Sequence, residues 1–394
     1  MRKILKRLLI ALMAGLLTVV VLIYPPASTH YHIREAYSFR AGDKDAGIRL
    51  AVMIPTTGPY QEVRNVVISW DGTEARESQG SVEVVKLMGQ IKAGQEKIGT
   101  IVYDVILRTG QAQWKAPVED FQLQPQPGIE SDAPALVRAA SQIVAGQSRK
   151  DAYRIHKFTA GQLSWGGESG TNQNLRLQSA LDAYQRRKGV CGHYANLMTA
   201  LCRAAKIPAQ SVSGLNLPAY PPLWSATRVW GSPADTHGWV EFHTPKGWEM
   251  ADPSAAHWMP VKGLFFGRND GGHLSYGERL SHDRICEAMR AWAGAMGSMV
   301  GAMSGPLRFA AAADGKVSFS PQAMVKVTWS SRWFYVMGIV GLLVGGDLYH
   351  RWRQKRHGAG PTTRCSEPPT SSAGDSYGQY EQKSCEPSSR PGGR

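Results

Sequence analysis

Residues 189–209 read Gly189-Val190-Cys191-Gly192-His193-Tyr194-Ala195-Asn196-Leu197-Met198-Thr199-Ala200-Leu201-Cys202-Arg203-Ala204-Ala205-Lys206-Ile207-Pro208-Ala209. Tyr194, Leu197, Met198, Leu201, Cys202 and Ala205 recur at three- and four-residue spacing, and Ile207-Pro208 ends the pattern. This spacing predicts a buried amphipathic helix with Cys191 in its first turn. A thiol placed there meets unpaired backbone N–H groups and the positive end of the helix dipole, which favour the nucleophilic thiolate. Cys202 follows about 16 Å further along the axis at ~1.5 Å per residue, too far to pair with Cys191, and reads as a packed core thiol.

Working downstream, Thr236-His237-Gly238-Trp239-Val240-Glu241-Phe242-His243 alternates as a strand does. Thr244-Pro245-Lys246-Gly247 makes a turn, and Trp248-Glu249-Met250-Ala251-Asp252-Pro253 resumes. Folding this hairpin about its turn puts Asp252 nearly opposite His237, within cross-strand reach. A carboxylate beside an imidazole fixes its tautomer and stabilises the imidazolium, and an imidazole beside a thiol draws off its proton. Cysteine, then histidine, then acid is the set needed for acyl transfer through a thioester.

Taken with their flanks, these blocks resemble the transglutaminase-like superfamily. Its core reads roughly Gly-x-Cys-Gly-x-x-Ala at the nucleophile, His-Ala-Trp-Val-Glu at the base and Gly-Trp-x-x-x-Asp-Pro at the acid. Here they stand in order as Gly189-Val190-Cys191-Gly192-His193-Tyr194-Ala195, His237-Gly238-Trp239-Val240-Glu241 and Gly247-Trp248-Glu249-Met250-Ala251-Asp252-Pro253. The one departure is Gly238, where the family commonly has Ala. The resemblance covers roughly residues 130–275 and implies a papain-like α+β core, its nucleophile helix packed on an antiparallel sheet that carries the histidine and the acid. It implies Cys191 as nucleophile, His237 as general base and acid, and Asp252 as the orienting carboxylate, with no cofactor and no metal. For the oxyanion, the Cys191 backbone N–H is one donor expected. The family often adds an upstream aromatic or amide side chain, for which Trp165 and Gln185 both stand available.

Upstream, short bursts such as Ile48-Arg49-Leu50-Ala51-Val52 and Val66-Val67-Ile68-Ser69-Trp70 alternate apolar and polar residues between turn signals, which predicts a β-sandwich-like domain. Leu123-Gln124-Pro125-Gln126-Pro127-Gly128 reads as a linker, and Ala135, Leu136, Ala139, Ile143 and Val144 open a helical pattern beyond it. The segment 288–313, rich in Ala, Gly and Met, is open between a surface helical hairpin, a membrane-resting segment and a flexible insertion.

The full chain has 394 residues and a net charge of +14. Arg2, Lys3, Lys6 and Arg7 precede an uncharged run over residues 8–24, and Arg351, Arg353, Lys355 and Arg356 follow a second apolar run over residues 333–348. These read as two transmembrane helices, the first a retained signal anchor, with both termini cytoplasmic and the intervening part on the outer or periplasmic side. Most of the excess charge flanks these two runs, and the remainder forms no basic stripe with interleaved aromatics, so no nucleic-acid partner is expected. Past about residue 358 the chain is poor in aliphatics and predicts a disordered tail holding Cys365 and Cys385. Five cysteines cannot form a disulfide scaffold, and Cys286 has no evident partner.

The expected division is a signal anchor at 1–28, a β-rich domain at 29–127, a transglutaminase-like catalytic domain at 128–285, the Ala/Gly/Met-rich segment and a terminal strand at 286–332, a second span at 333–350 and a basic tail at 351–394. The function expected is that of a membrane-anchored thiol enzyme acting on protein or peptide substrates, with hydrolysis favoured. Cross-linking of the acyl group to an amine and a non-enzymatic scaffold are the alternatives. A metal site built from Cys191, His193, His237 and His243 is disfavoured, because Cys-x-His has no strong zinc spacing. His193 reads as a solvent-facing or substrate-side residue, His243 as an exposed strand residue, and Trp239 and Trp248 as core aromatics bracing the hairpin.

Overall fold

The computed structural model describes residues 28–79, 82–109, 115–166, 179–217, 227–230, 236–255, 266–267, 269, 272–302 and 309–330, with single residues at 15, 338, 341, 345, 346, 349 and 352. The chain falls into two units, Met1–Val340 and Gly341–Arg394. In the second, Tyr349 and Trp352 pair their rings at 5.9 Å. Among the described residues no helix is long and apolar enough to cross a membrane. The two expected spans, at 8–24 and 333–348, lie almost wholly outside the described residues, as does the tail.

Six strands open the first unit: β1 (Ser28–Ala41), β2 (Ala46–Pro55), β3 (Gln61–Ser69), β4 (Thr73–Gln79), β5 (Val82–Ile91) and β6 (Glu96–Arg108). In β1 every second residue is buried, including Tyr31, Ile33, Tyr37 and Phe39, which gives the strand one face for a core. Glu35 shares that face. It accepts hydrogen bonds from Tyr37 Oη at 2.6 Å and Tyr103 Oη at 2.8 Å, and burial pushes its carboxyl up to about 7.

Helices α1 (Pro134–Ile143), α2 (Ser148–Gln162), α3 (Ala180–Arg186) and α4 (Cys191–Ala204) follow, with the short strands β7 (Ser164–Trp165) and β8 (Lys188–Gly189) between them. Then come β9 (Ala209–Asn216), β10 (Thr227–Trp230), β11 (Thr236–Thr244), β12 (Gly247–Ala251), β13 (His273–Glu278), α5 (Arg279–Gly294), β14 (Ser298–Ala302), β15 (Phe309–Ala313) and β16 (Val317–Ser330).

The strand-rich N-terminal region forms two five-stranded sheets, ordered β10-β16-β1-β6-β3 and β14-β15-β2-β5-β4. Both include strands from far downstream. β1 pairs along its whole length with β16, and β2 pairs with β15. The sandwich is therefore closed by both ends of the unit, while the segment with the Cys–His–Asp motifs lies between them in sequence.

The described residues of 288–313 adopt none of the three conformations left open by composition. They form the end of α5 and the strands β14 and β15, and Phe309-Ala310-Ala311-Ala312-Ala313 is buried throughout; residues 303–308 lie outside the described residues. Small side chains here allow α5 and the second sheet to approach closely, so the Ala-rich composition marks packing rather than looseness. Arg49 and Lys86 from that sheet lie over the Trp292 ring of α5 at 5.3 and 5.5 Å.

The second core gathers Leu136, Ile155, Leu197, Met198, Leu201, Val240 and Phe242 around α4. One buried face was expected for α4, yet of its residues only Cys191, His193 and Ala204 escape full burial. Helices α1 to α3 cover the side that the sheet leaves open. Arg203 explains how so buried a helix carries a cation: its Nε donates to Ala209 O at 2.8 Å and its Nη1 to Gln124 O at 2.6 Å and Gln126 Oε1 at 2.9 Å. The Pro/Gln linker is thereby tied to the helix, and burial lowers the Arg203 guanidinium to about 10. The helix ends with Lys206 in the left-handed region, φ 62°, and Ile207 N donating to Cys202 O at 2.8 Å just before Pro208.

Candidate active site

Three local features set the position of Cys191. Val190 is the N-cap of α4, so the cysteine is the first helical residue and its sulfur sits where the helix end favours negative charge. His193 Nδ1 accepts from Val190 N–H at 3.3 Å, so this imidazole serves the helix start; it is half-buried rather than solvent-facing. A Cβ on Gly189 would meet His193 Cβ at 2.5 Å, which is why the residue two before the cysteine has no side chain. Cys191 itself is partly exposed.

The antiparallel sheet β12-β11-β9-β13 carries the other two groups. Val240 pairs with Ala251, so Asp252, one residue past β12, continues the register diagonally to His237 rather than directly opposite it. The bond forms nonetheless: His237 Nε2 to Asp252 Oδ2 is 2.8 Å. Asp252 Oδ1 accepts from Ser254 N at 2.8 Å, Ser254 Oγ at 2.6 Å and Ala255 N at 3.2 Å, which fixes the carboxylate plane.

Burial alone would lower the His237 pKa, but Asp252 and a hydrogen bond to Cys191 raise it well above the ordinary value. Burial alone would raise Asp252, but His237 and then His273 hold it well below the usual carboxylate range. Since Nε2 is engaged by Asp252, Nδ1 is the ring nitrogen left for the thiol. The structure thus brings together Cys191, His237 and Asp252, the three residues picked from sequence.

Two further histidines at Asp252 lie outside the sequence motifs. His273, at the start of β13, places Nε2 at 3.4 Å from Asp252 Oδ2, and its ring lies 5.1 Å from that of His237. His156 of α2 donates from Nε2 to the Asp252 carbonyl at 3.2 Å; burial lowers its pKa despite that carbonyl. Neither has a local sequence signal, since the contacts span 21 and 96 residues of chain.

Trp239 is buried and lies over the His237 ring, centroids 6.2 Å apart, with His273 edge-on at 4.9 Å. Gly214 makes this arrangement possible. It is paired with His237 on β9, and a Cβ there would come within 2.3 Å of Trp239 Cη2 and 2.2 Å of Leu274 O. Trp248 is buried too, and His243, paired opposite it, is half-buried with its ring 5.4 Å from the indole.

Cys202 is fully buried, and desolvation pushes its thiol up to about 12. Of the two side chains open for the oxyanion, Trp165 is registered against Gly189 through the parallel pair β7–β8 and lies 6.2 Å from the Tyr194 ring. Gln185 is exposed on α3.

The metal set weighed from sequence does not assemble, since His193 serves the helix start and His243 packs on Trp248. Among the described residues, His237, Asp252 and His273 are the group with metal-ligand spacing, their ligand atoms within 4.8 Å of one another. An ion there would displace the His237–Asp252 bond.

The family description that matches is the transglutaminase-like superfamily, over residues 138–253. A curated relative, the protein-glutamine gamma-glutamyltransferase of Pseudomonas aeruginosa, is 38% identical over 72 residues, 18% of this chain and 10% of that protein. The matched part spans about a tenth of that relative's length. Among solved structures, a Cytophaga hutchinsonii chain provisionally described as a cysteine protease aligns with 77% of this chain and 91% of its own at 16% identity, TM-score 0.45. The periplasmic domain of TgpA from Pseudomonas aeruginosa aligns with 59% of this chain and 89% of its own at 17% identity, TM-score 0.31. Both structural likenesses are loose.

Proposed function

Because residues 138–253 belong to the transglutaminase-like superfamily, we propose that this protein is a thiol enzyme that cleaves carboxamide or peptide bonds through a thioester on Cys191. The observation that carries this reading is the hydrogen-bonded chain from Cys191 through His237 to Asp252 at the start of a buried helix. The Cys191 thiolate attacks the carbonyl carbon, and the oxyanion is met by backbone N–H at the helix start, with Trp165 as the neighbouring side-chain donor. The His237 imidazolium gives its proton to the leaving amine as the C–N bond breaks. A water molecule then loses a proton to His237 and attacks the thioester, releasing the acid and the thiol. Asp252 holds the imidazole in orientation throughout.

Cys191 is partly exposed, so water reaches the thioester, which favours hydrolysis. The gamma-glutamyltransferase activity for which the Pseudomonas relative is named favours a second reading, transfer to a primary amine. We place the enzyme in a membrane, anchored by residues 8–24 and 333–348, with the catalytic part outside the cytoplasm. A reporter active only outside the cytoplasm should work when fused near residue 320 and be silent near residue 380.

The deciding assay incubates the full-length protein with casein and a labelled primary amine. Peptide release or free acid, lost in Cys191→Ala, is the expected result. Amine incorporation that depends on Cys191 establishes transfer instead, and neither product refutes the thiol-enzyme reading.

A further inference from the structure

β13 stands at the edge of the catalytic sheet, whose order is β12-β11-β9-β13. It pairs with β9 on one side, Ser275 opposite Gly214, and the register breaks just beyond Ser275. Among the described residues no strand pairs with its other side. Peptide groups on that side therefore need a partner from elsewhere in the fold.

The partner at Ser275 is a side chain of the sandwich. Gln61, the first residue of β3, is 4% exposed. Its Oε1 accepts from Ser275 N at 2.7 Å, and its Nε2 donates to Ser275 O at 2.9 Å and to Thr56 O at 2.7 Å. The amide stands in for one residue of a further strand, giving the edge both a donor and an acceptor. A carboxylate of the same shape could not do this, since two carbonyl oxygens here need N–H groups. The turn that carries Gln61 is itself held: Gly58 N donates to Gln61 O at 2.8 Å, and Arg108 N at the end of β6 donates to Tyr60 O at 2.8 Å.

Alternation along β13 carries this grip to the site. Leu274 and Tyr276 are buried in the sandwich core with Tyr37 and Tyr103. His273 and Ser275 share the other face, about 7 Å apart along the strand. On that face His273 lies edge-on to Trp239 at 4.9 Å, with Nε2 3.4 Å from Asp252 Oδ2. Asn269 Nδ2 holds the His273 carbonyl at 3.2 Å, so Gln61 is the sandwich's share of a strand gripped at two points. A contact of 3.4 Å is near the limit of a hydrogen bond, and a small shift of β13 would open it.

Resting on the thiol-enzyme reading, we propose that Gln61 is a positioning residue: it holds β13 so that His273 stays against Asp252, which makes the sandwich part of the catalytic machinery.

The test is a double-substitution cycle in the full-length protein. Its readouts are turnover of casein, as hydrolysis or amine incorporation, and iodoacetamide labelling of Cys191 at pH 7. Gln61→Ala should lower kcat about threefold to tenfold with little change in KM, and slow Cys191 labelling about threefold, the scale of one lost hydrogen bond. In a His273→Ala background the same substitution should cost less than about twofold in either readout, because the route it acts through is already gone. Should Gln61→Ala fail to fold, Gln61→Met, which keeps the length of the side chain without its hydrogen bonds, takes its place. Losses that multiply with those of His273→Ala, or a lowered melting temperature with kcat and labelling unchanged, overturn the proposal. Labelling needs no turnover, so a native protein that makes no product defeats the thiol-enzyme reading, and the labelling cycle still decides whether Gln61 acts at the site.

Discussion

His273 Nε2 stands 3.4 Å from Asp252 Oδ2, the same oxygen that His237 Nε2 reaches at 2.8 Å. One carboxylate therefore faces two imidazoles, and His237 is bonded to the thiol as well. His273 helps hold Asp252 ionised and in place for its partner. His273→Ala should lower kcat about threefold to tenfold with little change in KM, the scale of one lost hydrogen bond. His273→Gln, which keeps an N–H donor, should recover most of that loss. Equal losses in both variants would show that the ring acts only by filling space.

The coupled pair predicts a pH window for stability. Asp252 is held well below its ordinary pKa, so its contribution is present above about pH 4 and is lost as pH falls through the lowered folded value. His237 is held well above its ordinary pKa, so its contribution is complete below about pH 6.5 and is lost as pH rises through the raised folded value. Both are complete between about pH 4 and 6.5. The melting-temperature gap between the native protein and Asp252→Asn should be widest there and narrow on both sides. A gap of one size at pH 3, 5.5 and 10 would contradict the coupling.

Two glycines near the site should respond in opposite ways to alanine. A Cβ on Gly238 meets Gly192 Cα at 3.4 Å, an ordinary contact, so Gly238→Ala should change stability by less than about 0.5 kcal/mol and keep activity. A Cβ on Gly214 runs into Leu274 O and the Trp239 ring. Gly214→Ala should cost about 1–3 kcal/mol and reduce activity by moving Trp239 against His237 and His273. Thermal denaturation of the two variants checks this, and a Gly214→Ala protein as stable as the native one would be inconsistent with the packing.

Alkylation separates the thiols of the folded units. Iodoacetamide near neutral pH should modify Cys191, mapped by peptide mass, at least about tenfold faster than Cys202, which is fully buried and has its thiol pushed up to about 12. His237→Ala should move the pH midpoint of Cys191 alkylation upward. Preferential labelling of Cys202, or an unmoved midpoint, would reject the assignment of the nucleophile.

The chemistry-bearing residues were legible in the chain itself because each sits in a short local pattern. Helical spacing with a proline stop framed Cys191, and strand alternation around one turn carried His237 and Asp252. The burial of Cys202 followed from the same helical face. The hairpin register was read two residues off, because spacing alone does not reveal that Asp252 lies past the end of β12 and is aimed by Ser254 and Ala255. Tertiary structure decided what depends on distant pairing. It placed β15 and β16 in the sandwich, turned the Ala-rich segment into buried packing, and brought His273 and His156 to Asp252. Local periodicity encodes which face of an element is buried, whereas which elements meet is fixed by the burial free energy of the whole chain.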